Sequence, residues 1–196
     1  MSKIHFLSSL LLLALILGST SCNKDDDDNQ PLEAVTLDLL VDSKVDGDFS
    51  LFSFEQGEVV SGAELPTNNW DFGLRLTTFI TNGGVSGPGQ GGALVLNGVF
   101  DEITEAPAEG YRVDAQGDLA ITDGSWYDYN PVTRAFAPKA GVVFVFRTAK
   151  GNYAKMELIK ADPTDDNGTV VTPPTVPTKI KYTLRYVYQG NGSRNF

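Results

Sequence analysis

The chain of 196 residues has very little histidine, cysteine or methionine, the side chains that most often bind metals or act as catalysts. Its only histidine is His5 and its only cysteine is Cys22. Beyond position 5 there is therefore no serine–histidine–aspartate or cysteine–histidine pair, and no histidine that could hold a metal. A single cysteine forms no internal disulfide and no zinc site. We expect a protein that is not an enzyme, although glycoside hydrolysis, which needs only two carboxylates, is not strictly excluded.

The first 21 residues are predicted to be a signal peptide of the lipoprotein type. Lys3 precedes an apolar run over residues 6–17, which is too short to span a membrane, and small residues then lead to Cys22. Cys22 is therefore expected to carry a lipid as the first residue of the mature protein. The alternative is an ordinary cleaved signal followed by an unused thiol.

Residues 22–30 contain four consecutive aspartates, which repel one another and bury nothing, so a lipidated acidic tether is predicted. This segment resembles the export tag of Gram-negative lipoproteins, although a plain solvated spacer fits equally. The resemblance implies a lipid-anchored protein of the outer membrane, on the cell surface of a Gram-negative bacterium. The net charge of −10 argues against nucleic acid as a partner and leaves the lipid as the only expected membrane contact.

Apolar and polar residues alternate along most of residues 31–196, which predicts a single all-β domain. The clearest case is the run from Ile180 to Tyr188, where every second residue is apolar. Residues 142–160 are predicted to form a hairpin. The segment 161–179 is predicted to be an exposed loop, because its prolines cannot pair in a central strand. Further strands are expected at residues 34–40, 48–54, 69–79, 93–100 and 119–122.

A glycine-rich stretch over residues 83–92 raises the question of phosphate binding. Gly87, Gly89 and Gly92 match the pattern G-x-G-x-x-G, which in dinucleotide-binding proteins lies between a strand and a helix. Here another strand-like run follows, and no Gly-Lys-Ser/Thr motif is present. We therefore expect no nucleotide site, and we attribute the glycines to positive φ angles and close backbone approach.

Two acidic segments, centred on Gly47 and Gly168, resemble calcium-binding loops only in composition. A calcium loop has oxygen ligands at alternate positions, a glycine at the sixth and a glutamate at the twelfth. Alignment on Gly47 puts Lys44 at a ligand position, and alignment on Gly168 puts a proline at each end. Neither a calcium site nor a zinc site is therefore expected.

Several segments follow one another in an order that resembles the HmuY family. The most specific is the strand Asn69-Trp70-Asp71, which leads into the glycine-rich stretch and its closing Gly-Gly-Ala. The hairpin VFVFRTAKGNYAKMELI at residues 143–159 supports the resemblance. The remaining segments are GEVV at 57–60, APAEGYRVD at 106–114 and YTLRYVYQ at 182–189.

The resemblance implies a lipid-anchored haem-binding protein, or haemophore, that passes haem to a TonB-dependent outer-membrane receptor. It also implies a β-rich domain of antiparallel sheets with extended finger-like loops around the ligand. The founding type of the family holds haem iron between two histidines in the segment that corresponds to residues 121–141. This chain has no histidine there, the segment is shorter, and the second ligand position falls near Asn130 or Pro131.

The candidate ligand-binding residues are Trp126, Tyr127, Tyr129, Asn130 and Met156. The two tyrosines point the same way if their segment is extended, aromatic rings can stack on a porphyrin, and tyrosine can hold haem iron. Other relatives use methionine, and Met156 is the only one left after the signal, but its strand pattern predicts a core position. Tyr129 and Met156 are thus the candidate iron ligands. The alternative is that the aromatic residues only pack a hairpin.

Two functions follow from these expectations. The first is haem or porphyrin binding for haem and iron acquisition, without the family's histidine ligands. The second is a HmuY-fold lipoprotein that has lost haem binding and binds another small ligand or an outer-membrane partner. In the second case the glycine-rich stretch and the aromatic residues would form a different pocket or an interaction edge.

Overall fold

The computed structural model describes residues 32–131, 135–172 and 174–196. The predicted signal peptide, the lipidation residue Cys22 and the acidic tether lie outside these ranges. The described residues belong to one compact unit, Pro31–Phe196. Within them, no helix has the length and apolar character needed to cross a bilayer.

The described residues form three antiparallel sheets, as expected for a sequence with period-2 alternation. A five-stranded sheet has the order β1-β11-β10-β9-β6, a four-stranded sheet has the order β3-β2-β4-β5, and β7 and β8 form a separate hairpin. The all-β prediction is thereby confirmed. The strands are β1 Val35–Asp42, β2 Ser50–Ser53, β3 Glu58–Val60, β4 Phe72–Arg75, β5 Thr78–Thr81, β6 Gly92–Asn97, β7 Tyr127–Asn130, β8 Ala135–Pro138, β9 Val142–Arg147, β10 Tyr153–Thr164 and β11 Lys179–Gln189; short 3₁₀ turns cover Gly62–Glu64 and Phe100–Glu102.

The main core lies between the five-stranded and four-stranded sheets and is rich in aromatic rings. The alternating residues of β11 from Ile180 to Tyr186 turn their apolar side chains into it. Phe72 of the four-stranded sheet stacks on Phe146 of the five-stranded sheet with ring centroids 5.5 Å apart. Such contacts add to the stabilisation from burial, since aromatic pairs contribute about 0.5–1.5 kcal/mol beyond their area.

The proline-rich segment differs from the prediction, because β10 continues through Pro163 to Thr164 and pairs with β11. Pro163 lies opposite Ile180, and its carbonyl accepts a hydrogen bond from Val171, so it is directed away from β11. The nitrogen of the same residue faces the same side, where β9 no longer pairs with β10. Proline is tolerated at such an edge because no ladder hydrogen bond is lost.

Three other strand boundaries also differ from the expected ones. Residues 69–79 contain two strands, β4 and the start of β5, joined at Leu76, which has a φ of 48°. The strand expected over residues 93–100 ends at Asn97, and a 3₁₀ turn begins at Phe100. Residues 119–122 are not a strand. Tertiary contacts decide these short segments, and local alternation predicts them poorly.

Candidate functional site

The Asn-Trp-Asp segment ends in a buried carboxylate that joins two distant parts of the chain. Asp71 is 6% exposed, and its two oxygens accept hydrogen bonds from the backbone of Phe54 at 2.8 Å and of Ala149 at 3.0 Å. Burial raises the pKa of Asp71 above its ordinary value, although the two backbone donors oppose the shift. Both of its oxygens accept backbone hydrogen bonds, so Asp71 links the segments around Phe54 and Ala149 and has a structural role.

The side chain of Asn82 likewise links separate backbone segments, one of which is the glycine loop. We define this loop as residues 83–92. Its side chain is fully buried, donates to the carbonyls of Thr67 and Trp70, and accepts from the backbone of Gly89 at 2.9 Å. Asp114 is buried nearby and accepts from the backbone of Thr81 and Ala120. Asn82 therefore holds the loop itself through Gly89, and Asp114 holds the end of the strand that precedes the loop.

The glycines of this loop are needed mainly because backbone segments approach one another closely. A Cβ atom at Gly83 would lie 2.1 Å from the carbonyl oxygen of Gly91, and one at Gly84 would lie 1.9 Å from that of Asp114. Of the loop glycines only Gly84 has a positive φ, at 62°. The prediction of positive φ is thus right at one position. The space beside Gly83 and Gly84 is therefore occupied by the backbone of Gly91 and Asp114, and a phosphate could not bind at these two positions.

The candidate ligand residues lie mostly on the hairpin formed by β7 and β8. Tyr129 lies opposite Phe136, and Tyr127 lies opposite Pro138. Because alternate residues of a strand share a face, Tyr127 and Tyr129 point the same way, as predicted. Tyr129 is 57% exposed, whereas Tyr127 is half-buried. Asn130 lies at the exposed end of β7, opposite Ala135.

A row of aromatic rings connects this hairpin to the core. The ring centroids of Trp126 and Tyr127 are 4.9 Å apart, those of Tyr127 and Phe136 are 5.7 Å apart, and those of Phe136 and Tyr182 are 6.1 Å apart. Trp126 is 1% exposed, so it belongs to the core and presents no stacking surface. Its indole nitrogen has no hydrogen-bond partner among the described residues. Of the aromatic candidates, Tyr129 alone has most of its surface exposed.

The hydroxyl of Tyr127 is already engaged. It donates to the carboxylate of Asp123 at 2.8 Å. Burial raises the pKa of Tyr127, and the neighbouring Asp123 raises it further, whereas a hydrogen bond with Thr77 opposes the shift. The phenolate form, which would ligate iron, is therefore disfavoured at this position.

Met156 lies in the middle of β10, between Phe144 of β9 and Tyr186 of β11. Its side chain has no exposed surface and belongs to the main core. The sulfur is not accessible to a ligand in this arrangement. The expected core position is thus observed, and an iron-binding role would require the core to open. The described residues contain no group of three or more acidic, histidine or cysteine side chains that could hold a metal ion.

One cavity, of about 260 Å³, lies beside the base of the hairpin. Its lining includes Ile121 and Asp123, the second of which bonds to Tyr127. Another, of about 380 Å³, has a largely polar lining that includes Glu58, Glu64 and Asn69. Neither has an aromatic lining residue, although small-molecule sites are usually lined by apolar and aromatic side chains.

Comparison with known proteins decides the family. The sequence matches the HmuY protein family over residues 48–173, which is more than half of the chain. The chain belongs to the HmuY family. The resemblance found in the sequence segments is therefore confirmed.

Two solved structures have a similar fold. The HmuY-family chain is similar to apo PinO from Porphyromonas gingivitis, with 18% identity, a TM-score of 0.51, and coverage of 81% of this chain and 98% of the other. It is also similar to the apo HmuY analog (TFO) from Tannerella forsythia, with 15% identity, a TM-score of 0.50, and coverage of 80% and 98%. At these identities the likeness shows the fold alone. No match was found among curated proteins.

Sequence reasoning missed several residues that shape this HmuY-family hairpin. Phe136 and Asp123 are the main ones, because the first anchors the hairpin to Tyr182 and the second holds the hydroxyl of Tyr127. A signal for Phe136 was present, since it lies between two alanines in an alternating run. For Asp123 there was none, since a loop aspartate is ordinary in any chain.

Proposed function

We propose that this HmuY-family chain is a lipid-anchored cell-surface protein that binds haem, or a related porphyrin, against the β7–β8 hairpin. The observation that carries the proposal is the position of Tyr129. Its ring is more than half exposed and shares a strand face with Tyr127, next to a row of aromatic rings that leads into the core. A flat apolar macrocycle is a suitable ligand for such a face.

Tyr129 is the best candidate for the iron ligand, because Met156 and Tyr127 are both less suited to the role. Met156 is fully buried in the core. The hydroxyl of Tyr127 donates to Asp123, and its raised pKa disfavours the phenolate. Tyrosine is an established axial ligand of haem iron.

The cellular role that we propose is haem and iron acquisition. The family resemblance supports transfer of haem to a TonB-dependent receptor, and the sequence around Cys22 supports a lipid anchor. Replacement Cys22→Ser in the full chain should release the protein from the membrane fraction. Retention of the variant in that fraction, with the signal removed, would contradict the lipid anchor.

Haem binding is tested with a chain that begins at Asn23, which contains the whole compact unit and no cysteine. Haemin is titrated in the micromolar range, and the Soret band is followed in the ferric and ferrous states. We expect saturable binding with a shifted Soret band. Tyr129→Phe should alter the band position and weaken binding, because it removes the oxygen ligand and keeps the ring. Tyr129→Ala should weaken binding further.

The matched control is Tyr153→Phe, at the start of β10, which removes the hydroxyl of another partly exposed tyrosine. It should leave the spectrum unchanged. Zinc protoporphyrin and metal-free protoporphyrin serve as further ligands, because they separate stacking on the hairpin from ligation of iron. Absence of any spectral change at micromolar haemin would overturn the proposal.

A second function has an observation in its favour. Among the described residues there is no histidine, and Met156 has no accessible surface, so the two ligand types known in the family are not presented to solvent. A HmuY-fold lipoprotein that has lost haem and binds another small ligand or an outer-membrane partner would fit this. Recovery of a receptor with the anchored protein from haem-free cells, together with a negative haemin titration, would favour it.

A further inference from the structure

Asparagine is followed by glycine four times in the sequence, at Asn82, Asn97, Asn167 and Asn191. In such a pair the backbone nitrogen of the glycine can attack the side-chain carbonyl carbon of the asparagine, because glycine has no Cβ atom to oppose the approach. The attack requires a glycine N–H that is free to lose its proton and an asparagine amide nitrogen that is free to leave. The four pairs differ in both respects.

Three of the pairs are protected by hydrogen bonds. The glycine N–H donates to a backbone carbonyl at 2.7 Å for Gly83, at 2.8 Å for Gly98 and at 3.0 Å for Gly168. A nitrogen held in this way keeps its proton and its position until the bond breaks. Asn82 is protected a second time, because its buried amide nitrogen donates to two backbone carbonyls.

The fourth pair, Asn191-Gly192, lies in the exposed turn that follows β11. Within the part of the chain that the structure describes, the N–H of Gly192 and the amide nitrogen of Asn191 donate to no acceptor. The side-chain oxygen of Asn191 accepts from the backbone N–H of Ser193 at 2.8 Å. Negative charge develops on this oxygen when its carbon is attacked, so the N–H of Ser193 favours the reaction.

We propose that Asn191 is a site of spontaneous chemical modification, at which its side-chain amide is lost. Hydroxide removes the proton of the Gly192 nitrogen, which then forms a bond to Cγ of Asn191. The bond from Cγ to Nδ2 breaks, and this nitrogen takes a proton from water and leaves as ammonia. Water then opens the resulting ring at either carbonyl, which gives aspartate or isoaspartate. The reaction consumes only water, and the inference does not depend on haem binding.

The modified turn leads directly into a segment that packs against the five-stranded sheet. In that segment the N–H of Phe196 donates to the carbonyl of Thr104 at 2.8 Å, and its ring lies 5.4 Å from the buried ammonium group of Lys155. Both products add a negative charge to the turn, and isoaspartate also adds a methylene group to the backbone. We therefore expect the contacts of Phe196 to loosen in the isoaspartate form.

The proposal is tested by incubating the chain that begins at Asn23 at mildly alkaline pH, followed by trypsin digestion and mass spectrometry. Trypsin places Asn191 in the peptide 186–194 and Asn167 in the peptide 161–179, and neither contains another asparagine. We expect Asn191 to be modified about fivefold or more faster than Asn167, the factor that one hydrogen bond contributes. Asn97 should also be slow, and Asn82 the slowest. Modification of Asn167 or Asn97 as fast as that of Asn191 would overturn the proposal.

Two controls separate the effect of the structure from that of the local sequence. In the urea-unfolded chain the hydrogen bonds are absent, so the four rates should become similar. The same order of rates in urea would show that neighbouring residues set it, and would overturn the role of the structure. Asn191→Gln should abolish most of the new acidic species on ion exchange, because glutamine must close a larger ring. An acidic species that forms as fast in this variant would contradict the site.

The structural consequence has its own measurement. The isoaspartate form is separated by ion exchange, and hydrogen exchange of its backbone amides is compared with that of the unmodified chain. We expect exchange at Phe196 to be several-fold faster in the isoaspartate form, and exchange in the glycine loop to be unchanged. Equal exchange at Phe196 in the two forms would overturn the predicted loosening.

Discussion

The glycine loop and the β7–β8 hairpin are built in opposite ways, although both lie within the residues that match the family, 48–173. Beside the loop, the fully buried side chain of Asn82 bonds to the backbone of Thr67, Trp70 and, within the loop, Gly89. In the hairpin, most side chains are exposed, and one row of aromatic rings provides the connection to the core. The difference separates residues that maintain the fold from residues that are open to a ligand.

This contrast has a physical basis. A buried polar group costs free energy unless every donor and acceptor is paired, so the loop tolerates few sequences. An exposed strand of a two-stranded hairpin has no such requirement, so its side chains can vary with the ligand. A distinctive motif such as Asn69-Trp70-Asp71 therefore identifies the fold, and the ligand has to be inferred from the more permissive segment.

The largest expected effect is the replacement Asn82→Ala. It leaves the carbonyls of Thr67 and Trp70 and the N–H of Gly89 without their partner. We expect the free energy of unfolding to fall by about 3–5 kcal/mol, as for loss of a buried hydrogen-bond network. Urea unfolding measures this, with the exposed Asn97→Ala as a control that should change stability by about 0.5 kcal/mol or less. A fall of less than about 1 kcal/mol for Asn82→Ala would contradict the view that buried polar side chains maintain the glycine loop.

A pair of glycines compares the two regions directly. Gly84 in the loop and Gly124, shortly before the hairpin, both have a positive φ, but only at Gly84 would a Cβ atom collide with backbone. Gly124→Ala should destabilise by about 1 kcal/mol, which is the cost of the φ angle. Gly84→Ala should destabilise by about 3 kcal/mol or more, because backbone must also move. Similar shifts in the urea midpoint would show that close packing of the loop is unimportant.

The buried carboxylate of Asp71 predicts a pH dependence of stability. Its folded pKa is raised above 3.8, so its favourable contribution is fully present below that pH and is lost as the pH rises through the folded value. The variant Asp71→Asn has an amide at this position, which does not titrate. The stability of the unmodified protein relative to this variant should therefore fall as the pH rises above about 3.8, by about 1.4 kcal/mol for each unit by which the folded pKa is raised. A relative stability that rises over this range would contradict the direction.

The smallest expected effect is on the hairpin. Tyr129→Ala should change the free energy of unfolding by about 0.5 kcal/mol or less, since the ring is largely exposed. Thermal unfolding measures this, with Phe136→Ala as the comparison. Phe136 joins the hairpin to Tyr182 and should cost more. A large loss of stability at Tyr129 would place it among the residues that maintain the fold.

Sequence alone predicted the fold class because the domain's strands have one buried face, as β11 shows most clearly. It failed at Pro163, where the pairing depends on how far the neighbouring strand β9 extends, and this is not a local property. The glycine loop could be read as structural from its flanking strands. The hydrogen-bond partners of Asp71 and Asn82, however, lie up to 78 residues away in the sequence, so they could be identified only from the structure.

For the candidate site, the common direction of Tyr127 and Tyr129 was predictable from strand geometry. Their unequal exposure was not, because it depends on Phe136 and Trp126 filling the space around Tyr127. The core position of Met156 was predictable from alternation along its strand. Whether any of these residues binds haem stays a prediction.

The most direct test of the division between the two regions is a map of backbone amide resonances during addition of haemin to the chain that begins at Asn23. Gallium protoporphyrin, which is diamagnetic, allows the same map without paramagnetic broadening. The account predicts that shifts concentrate in residues 121–141, with the largest near Tyr129, and that the glycine loop is unaffected. Shifts centred on residues 83–92, with none in the hairpin, would contradict it.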